Sequence, residues 1–168
     1  MKLVMFNGSP RGEAGNTRIL LEQFAKGFVT NQGNSVEEYY LKKTAEHFRY
    51  AEIFQESEAV LLAFPLYTDA MPGLVKAFIE MLRPVEFSSE APDQKKIIIF
   101  LVQSGFPEAI HCATIAKYLK KLARRLGCEC GGVIIKGGVE GIQAMPPQMT
   151  RKLFGQFSTL GEIFGKAG

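Results

Sequence analysis

The sequence has few residues of the kinds that hold metals or form disulfides. Its three cysteines, Cys112, Cys128 and Cys130, are odd in number, and one residue separates the last two. This spacing is poor for a structural zinc or an iron–sulfur cluster. We therefore expect reduced thiols in or near the core, with a redox thiol as the alternative, and we expect no metal centre.

Long apolar runs are also missing. None approaches the roughly 18 residues of a membrane span, and no small-residue cleavage site follows the apolar stretch after Met1-Lys2. The net charge of +3, from 20 basic and 17 acidic residues, is too small to favour nucleic acid or lipid as a partner. We expect a cytoplasmic protein without nucleic-acid or membrane partners. The small net charge does not exclude small anionic ligands.

What the sequence does contain is a set of short apolar runs. At 168 residues, of which 46% are hydrophobic, the chain fits a single domain, 1–168. Four runs do not alternate with polar residues, as expected of parallel strands covered on both faces: residues 3–6, 59–64, 97–102 and 133–135. Residues 36–41 mix charged and aromatic side chains, which favours an exposed edge strand.

Segments with helical spacing lie between these strands. The predicted helices cover residues 17–28, a short stretch around 51–54, a segment opening at Pro72-Gly73, residues 115–126, and a segment after Pro146-Pro147. The predicted apolar stripe of the last helix consists of Met149, Leu153, Leu160 and Phe164. Five strand–helix repeats predict an α/β fold with a five-stranded parallel sheet in the flavodoxin-like order 2-1-3-4-5.

In that order, the loops after strands one, three and four converge where the strand order reverses, which is where open parallel sheets bind ligands. The loop after strand one, residues 7–17, is rich in glycine and leads directly into a helix. Ser9 and Thr17 offer hydroxyls, Asn16 suits an N-cap, and the helix dipole favours an anion there. Arg11 adds a planar donor fork that suits phosphate. The sequence therefore predicts a phosphate site, with a merely long connection as the alternative.

This phosphate site differs from two common nucleotide-binding motifs. No Gly-Lys-Ser/Thr follows at the spacing of a nucleotide P-loop, and no Gly-x-Gly-x-x-Gly follows the first strand. The loop after strand three is instead apolar and aromatic, with Pro65, Leu66, Tyr67 and Thr68 at its start. Burial against a flat ring would explain this composition, and a subunit interface is a compatible explanation.

The loop after strand four, with Ser104, Gly105 and Phe106, completes the predicted site. Together the segments 7–11 with 16–17, 65–67 with 71–78, and 104–108 resemble the NAD(P)H-dependent FMN reductase family of flavodoxin-like proteins. The resemblance implies FMN as cofactor and NADH or NADPH as co-substrate. The residues that it places at the FMN phosphate are Ser9, Arg11, Asn16 and Thr17; those that it places along the isoalloxazine ring are Pro65, Leu66, Tyr67, Thr68, Ser104, Gly105 and Phe106.

The resemblance implies an oxidoreductase that passes electrons from NAD(P)H through FMN to a quinone, nitroaromatic, azo compound or flavin. No conventional acid–base pair is required, and we predict no catalytic side chain. His111 is either close to the ring or a surface residue at a helix start. A non-catalytic flavin-binding electron-transfer or redox-sensing protein and a flavin-free interaction module are the alternatives. The apolar stretch 142–147 and the loop after strand three predict a homodimer.

Overall fold

The computed structural model describes residues 1–84 and 96–166. Its sheet has five parallel strands in the order 2-1-3-4-5, which confirms the predicted topology. The strands are β1 (Lys2–Asn7), β2 (Ser35–Tyr40), β3 (Ala59–Pro65), β4 (Ile97–Gln103) and β5 (Glu129–Lys136). The helices are α1 (Asn16–Phe28), α2 (His47–Glu56), α3 (Gly73–Met81), α4 (Ala113–Arg125) and α5 (Pro147–Lys166).

Burial along the strands follows their position in the sheet. All seven residues of the central strand β3 are buried, whereas the edge strand β2 is half exposed, as its mixed composition predicted. The other edge strand, β5, is longer than the predicted 133–135 because it begins at Glu129. Its first half includes Gly131 and Gly132, where the register against β4 shifts by one residue. Because this half contains a charged residue and two glycines, it does not form an apolar run and was not predicted as part of the strand.

Helices cover both faces of the sheet. On one face α2, α3 and α4 form a core around the aromatic side chains Phe54, Phe78 and Phe100. On the other face α1 and α5 pack over Leu3, Met5 and Phe157 of a second core. The ends of the strands are therefore the places where the sheet is open to ligands.

Glycines allow α1 and α5 to pack at very short distance. A Cβ added at Gly27 would lie 1.7 Å from the Ser158 carbonyl oxygen, and one at Gly161 would lie 2.0 Å from the Phe24 carbonyl oxygen. The predicted stripe on α5 is therefore wrong in part, because Met149 and Leu160 are exposed. Helix α5 buries mainly small residues, which carry almost no signal in a hydrophobic pattern. The residues of this helix that are buried are Thr150, Phe157, Gly161 and Gly165.

Helix α2 is longer than the predicted short stretch around residues 51–54. It begins at His47, which is buried and whose Nε2 lies 2.6 Å from the Leu41 carbonyl oxygen. At its other end the buried Lys96 ammonium donates to the Phe54 carbonyl oxygen at 2.6 Å and to that of Ser57. Because the last carbonyls of a helix lack partners within it, this lysine stabilises the end of α2. Burial lowers the pKa of Lys96.

None of the helices in the described ranges has both the length and the apolarity needed to cross a bilayer. Within the same ranges, no three side chains of the histidine, cysteine, aspartate or glutamate type are grouped so that they could hold a metal ion.

Candidate functional site

A cavity of about 300 Å³ lies at the carboxyl ends of β1, β3 and β4, where the strand order reverses. Ten of the eleven residues that the sequence places at the flavin line this cavity, so the three loops meet as expected. The lining consists of Ser9, Arg11, Asn16, Pro65, Leu66, Tyr67, Thr68, Gln103, Ser104, Gly105, Phe106 and Glu140.

Residues 7–17, which we call the glycine loop, are held by their own hydrogen bonds. The Ser9 N–H donates to Asn7 Oδ1 at 3.0 Å, and the Arg11 N–H donates to Ser9 Oγ at 3.3 Å. Ser9 is 3% exposed, so its hydroxyl group is fixed at the wall of the cavity. The Arg11 side chain is exposed and enters none of the ion pairs found within residues 1–84 and 96–166. Its guanidinium is therefore available to an anionic ligand.

The shape of the glycine loop suits a phosphate group. A Cβ at Gly15 would lie 2.5 Å from Ser9 Oγ, and Gly12 has a φ of +56°, a conformation that favours glycine. The loop leads into α1, whose first N–H groups have no partners within the helix and carry the positive end of its dipole. A hydroxyl, a guanidinium and these backbone donors together form a donor set that fits a phosphate.

Asn16 does not cap α1 as predicted. Gly15 is the N-cap residue, with extended backbone and no side-chain cap, and Asn16 is the first residue of the helix. The Asn16 amide instead joins two loops, because its Nδ2 donates to the Val139 carbonyl oxygen at 2.8 Å. Gln143 Nε2 donates to Asn16 Oδ1 at 3.0 Å and to the Ala14 carbonyl oxygen at 2.8 Å. These hydrogen bonds connect the loop after β5 to the glycine loop.

Thr17 is the one predicted site residue that does not line the cavity. Its side chain is fully buried, and its Oγ1 accepts a hydrogen bond of 3.3 Å from Gln103 Nε2. Gln103 does line the cavity and stands at the end of β4. Thr17 therefore contacts the site only indirectly, by accepting a hydrogen bond from the cavity-lining Gln103. The two residues are 86 positions apart, so no local sequence pattern predicts this contact.

The loop after β3 turns sharply at the cavity. Tyr67 and Ala70 exchange backbone hydrogen bonds of 3.0 and 3.2 Å, and Thr68 between them has a φ of +56°. A β-branched residue rarely adopts this left-handed conformation, and such strain is concentrated at ligand sites. Leu66 is buried, but Tyr67 is 51% exposed on the cavity. The turn therefore holds an aromatic ring at the opening of the site.

The loop after β4 presents the second aromatic ring. Ser104 is buried, and its Oγ donates to the Phe106 carbonyl oxygen at 3.0 Å. Phe106 itself is 58% exposed. We call Tyr67 and Phe106, which line the same cavity, the aromatic rim.

Gln103 and Glu140 line the cavity but are not among the predicted site residues, and the loop that follows β5 is a fourth loop that no sequence pattern placed at the site. A backbone hydrogen bond joins this loop to the loop after β4, because the Gly138 N–H donates to the Phe106 carbonyl oxygen at 2.9 Å. Glu140 reaches Gly105, where a Cβ would lie 3.6 Å from its Oε2. The glycines at 137, 138 and 141 were the available signal for a loop close to a ligand.

The cysteines are free, as expected, and none of them lines the cavity. Cys112 and Cys128 are buried and Cys130 is half-buried. Burial raises the pKa of the Cys112 thiol, although the neighbouring Ser104 acts in the opposite direction, and burial raises the pKa of Cys128 to about 11. Both thiols are therefore protonated and unreactive at neutral pH. The side chain of His111 lies outside the residues that the structure describes.

Comparisons with solved structures agree with this fold. An FMN-dependent NADH-azoreductase from Bacillus anthracis, solved with FMN, matches with a TM-score of 0.71 and 11% identity over 98% of this chain and 99% of that one. An NADPH-quinone reductase from P. pentosaceus matches with a TM-score of 0.65 and 14% identity over 96% and 98% of the two chains. At these identities the structures establish the fold.

Sequence comparison identifies the family. Curated protein sequences give no match. A model of the NADPH-dependent FMN reductase family, however, matches residues 1–128, which is most of the chain. The chain therefore belongs to the NADPH-dependent FMN reductase family and is an NAD(P)H-dependent flavin oxidoreductase with FMN as its cofactor.

Proposed function

We propose that this oxidoreductase passes electrons from NAD(P)H through FMN to a small, flat acceptor: a quinone, a nitroaromatic, an azo compound or a free flavin. The observation that carries this proposal is the aromatic rim. Tyr67 and Phe106 are large apolar rings, each more than half exposed, on the same cavity as Ser9 and Arg11. Exposed aromatic side chains at a cavity favour stacking with planar ligands.

In this proposal the glycine loop holds the FMN phosphate. Ser9 and Arg11 contribute their side chains, and Asn16 and Thr17 contribute the backbone N–H groups of the first turn of α1. The isoalloxazine ring would be held by the other lining residues of the predicted site, which are Pro65, Leu66, Tyr67, Thr68, Ser104, Gly105 and Phe106. The hydrogen bonds within the glycine loop support the proposal, because they fix the donors before the ligand arrives.

Bound FMN supplies the electron transfer by accepting a hydride from the nicotinamide and passing electrons to the acceptor. The side chains of this chain need to orient the two ligands and keep water away. The buried Leu66 and the exposed Tyr67 are suited to this task because they present apolar surface to the cavity. No acid–base pair is needed, and we propose no catalytic side chain.

The acceptor class is tested with a panel of acceptors in steady-state NADPH oxidation. We expect turnover with a benzoquinone and with an azo dye, and a lower kcat/KM for both in the variant Phe106→Ala. Ferricyanide, which is not planar and needs no stacking, is the control acceptor and should be reduced at an unchanged rate when the variant is kept saturated with FMN. Equal losses with ferricyanide and the quinone would contradict stacking on Phe106.

The same assay separates this proposal from its alternatives. A flavin-binding electron carrier or sensor without turnover would be yellow but would oxidise no NADPH. A flavin-free module would be colourless and would take up no added FMN. The azo and quinone reductases among the structural neighbours are named for two of the proposed acceptor classes.

We further propose that the chain is a single domain that acts as a cytoplasmic homodimer. Met145 and Met149 are exposed beside an open apolar groove of about 700 Å³ at the start of α5, which a second copy would cover. Three free thiols suit a reducing compartment. Sedimentation of the wild type should give twice the mass of one chain, and Met149→Glu should give the monomer. A wild-type monomer would contradict the dimer.

A further inference from the structure

An ion pair followed by hydrogen bonds leads from α1 to the cavity through side chains that are partly or fully buried. Arg18 Nε lies 3.1 Å from Glu38 Oε2, and Glu38 Oε1 accepts a hydrogen bond of 3.2 Å from Asn7 Nδ2. Asn7 Oδ1 in turn accepts the Ser9 N–H at 3.0 Å. We call Arg18, Glu38 and Asn7 the support relay, because Ser9 stands at its end on the wall of the cavity.

The centre of the support relay is shielded from water. Asn7 is fully buried, and the Glu38 side chain is only 16% exposed. A carboxylate in such a place is unfavourable unless its partners compensate for the lost water. Arg18 pairs with this carboxylate and Asn7 donates to it, which offsets part of the cost, although burial still raises the pKa of Glu38.

The preceding residue of the same strand shows that a glutamate here need not be buried. Glu37 points to the opposite face of β2, because neighbouring side chains of a strand alternate. Its carboxylate is 45% exposed and pairs with Lys2 at 2.9 Å. Two adjacent glutamates thus differ in burial and partners, and only Glu38 is connected to the cavity.

The connection determines how Ser9 is presented. Without the Glu38 carboxylate, the buried Asn7 amide would lose its acceptor and would move or rotate, and the Ser9 N–H would lose a fixed partner. Ser9 Oγ, which accepts the Arg11 N–H at 3.3 Å, would shift with it. We propose that Glu38 is a positioning residue of the phosphate site, which orients Ser9 through Asn7. This proposal rests on the proposed binding of the FMN phosphate by the glycine loop.

The test compares FMN with riboflavin, which has the same ring but no phosphate. The full chain is stripped of flavin, and the dissociation constants of both ligands are measured by flavin fluorescence for the wild type, Glu38→Ala, Glu38→Gln and the control Glu37→Ala. We expect Glu38→Ala to weaken FMN binding about tenfold, the loss expected for one hydrogen bond to a charged group. Its riboflavin binding should be unchanged.

The two remaining variants separate positioning from charge. Glu38→Gln retains an oxygen that accepts from Asn7, so its FMN affinity should stay close to that of the wild type. Glu37→Ala removes the same charge from the exposed face and should bind both ligands normally. A wild-type FMN affinity in Glu38→Ala, an equal loss of riboflavin, or a Glu38→Gln variant as weak as Glu38→Ala would each overturn the proposal.

A further pair of variants covers the case in which Glu38→Ala does not fold. Asn7→Asp retains the acceptor for the Ser9 N–H but places two carboxylates at hydrogen-bond distance, so it should weaken FMN binding. When Glu38→Gln is added to Asn7→Asp, the amide at position 38 can donate a hydrogen bond to the carboxylate at position 7. The double variant should therefore recover most of the lost FMN affinity. Failure to recover would overturn the relay. Tighter wild-type binding of FMN than of riboflavin tests the phosphate site itself, independently of Glu38.

Discussion

The glycine loop and the aromatic rim border the same cavity but are built differently. The glycine loop is buried at Ser9 and is held by hydrogen bonds among its own residues Asn7, Ser9 and Arg11. The rings of Tyr67 and Phe106 are 51% and 58% exposed. A fixed set of donors suits one ligand group of defined shape and charge, whereas exposed rings suit flat ligands of varied outline. We therefore assign the cofactor phosphate to the first region, and the flavin ring together with the acceptor that stacks near it to the second.

The largest effect is expected from removing the charge of the glycine loop. Arg11→Ala should weaken FMN binding by about 2 kcal/mol, or about thirtyfold, because charge-assisted hydrogen bonds to the phosphate are lost. Fluorescence titration with FMN and riboflavin measures this loss, which should be confined to FMN. Arg125→Ala, on the exposed face of α4, is the matched control. An unchanged FMN affinity would show that Arg11 is misassigned.

A steric change in the same loop tests whether its fixed shape matters. Gly15 has a backbone conformation that alanine adopts readily, but the new Cβ would lie 2.5 Å from Ser9 Oγ. Gly15→Ala should therefore displace the hydroxyl and weaken FMN binding about tenfold, with little change in the melting temperature. The control is Gly155→Ala in α5, where a Cβ meets no neighbour and should stabilise the helix. Normal FMN binding by Gly15→Ala would mean that the loop adapts.

The aromatic rim should respond in acceptor kinetics rather than in phosphate recognition. Tyr67→Ala should reduce kcat/KM for a quinone by about fivefold, in line with an aromatic stacking contribution of about 1 kcal/mol. The ratio of FMN to riboflavin affinity should stay at its wild-type value. Phe48→Ala removes an aromatic ring that is 70% exposed but distant from the cavity lining, and should change nothing. If Tyr67→Ala changed the ratio of FMN to riboflavin affinity, the aromatic rim would contribute to phosphate recognition, which would contradict the separate roles of the two regions.

The smallest effect is expected from removing the hydrogen bonds that join the glycine loop to the loop after β5. Gln143→Ala removes hydrogen bonds to Asn16 and to the Ala14 carbonyl oxygen. Since Gln143 is exposed, water replaces part of what is lost, and FMN binding should weaken only about threefold. Gln148→Ala, nearby but outside the cavity lining, serves as the control in the same titration. A loss as large as that of Arg11→Ala would contradict this ranking.

The sequence was sufficient for those features that depend on local pattern. Short apolar runs and helical spacing between them predict the sheet order, and the mixed charged and aromatic composition of residues 36–41 predicts the exposed edge. The glycine loop and the aromatic loop were recognisable because their composition is unusual for the place where they stand. Their convergence on one cavity follows from the topology of parallel strands.

Features that depend on contacts between distant residues were not predictable. Asn16 is drawn to Val139, 123 positions away, and so does not cap α1. The buried face of α5 is set by the close approach of Gly161 to α1, which hydrophobic periodicity cannot show. Glu38 reads as an ordinary charged residue of an edge strand, and only its contacts with Asn7 and Arg18 distinguish it from Glu37.

The most direct test of the account is the visible spectrum of the purified full chain, loaded with FMN and kept without oxygen, before and after NADPH is added. The account predicts a yellow protein whose flavin absorption is lost rapidly with NADPH and returns when a quinone is added. A protein that takes up no FMN, or bound FMN that NADPH leaves oxidised over hours, would contradict it.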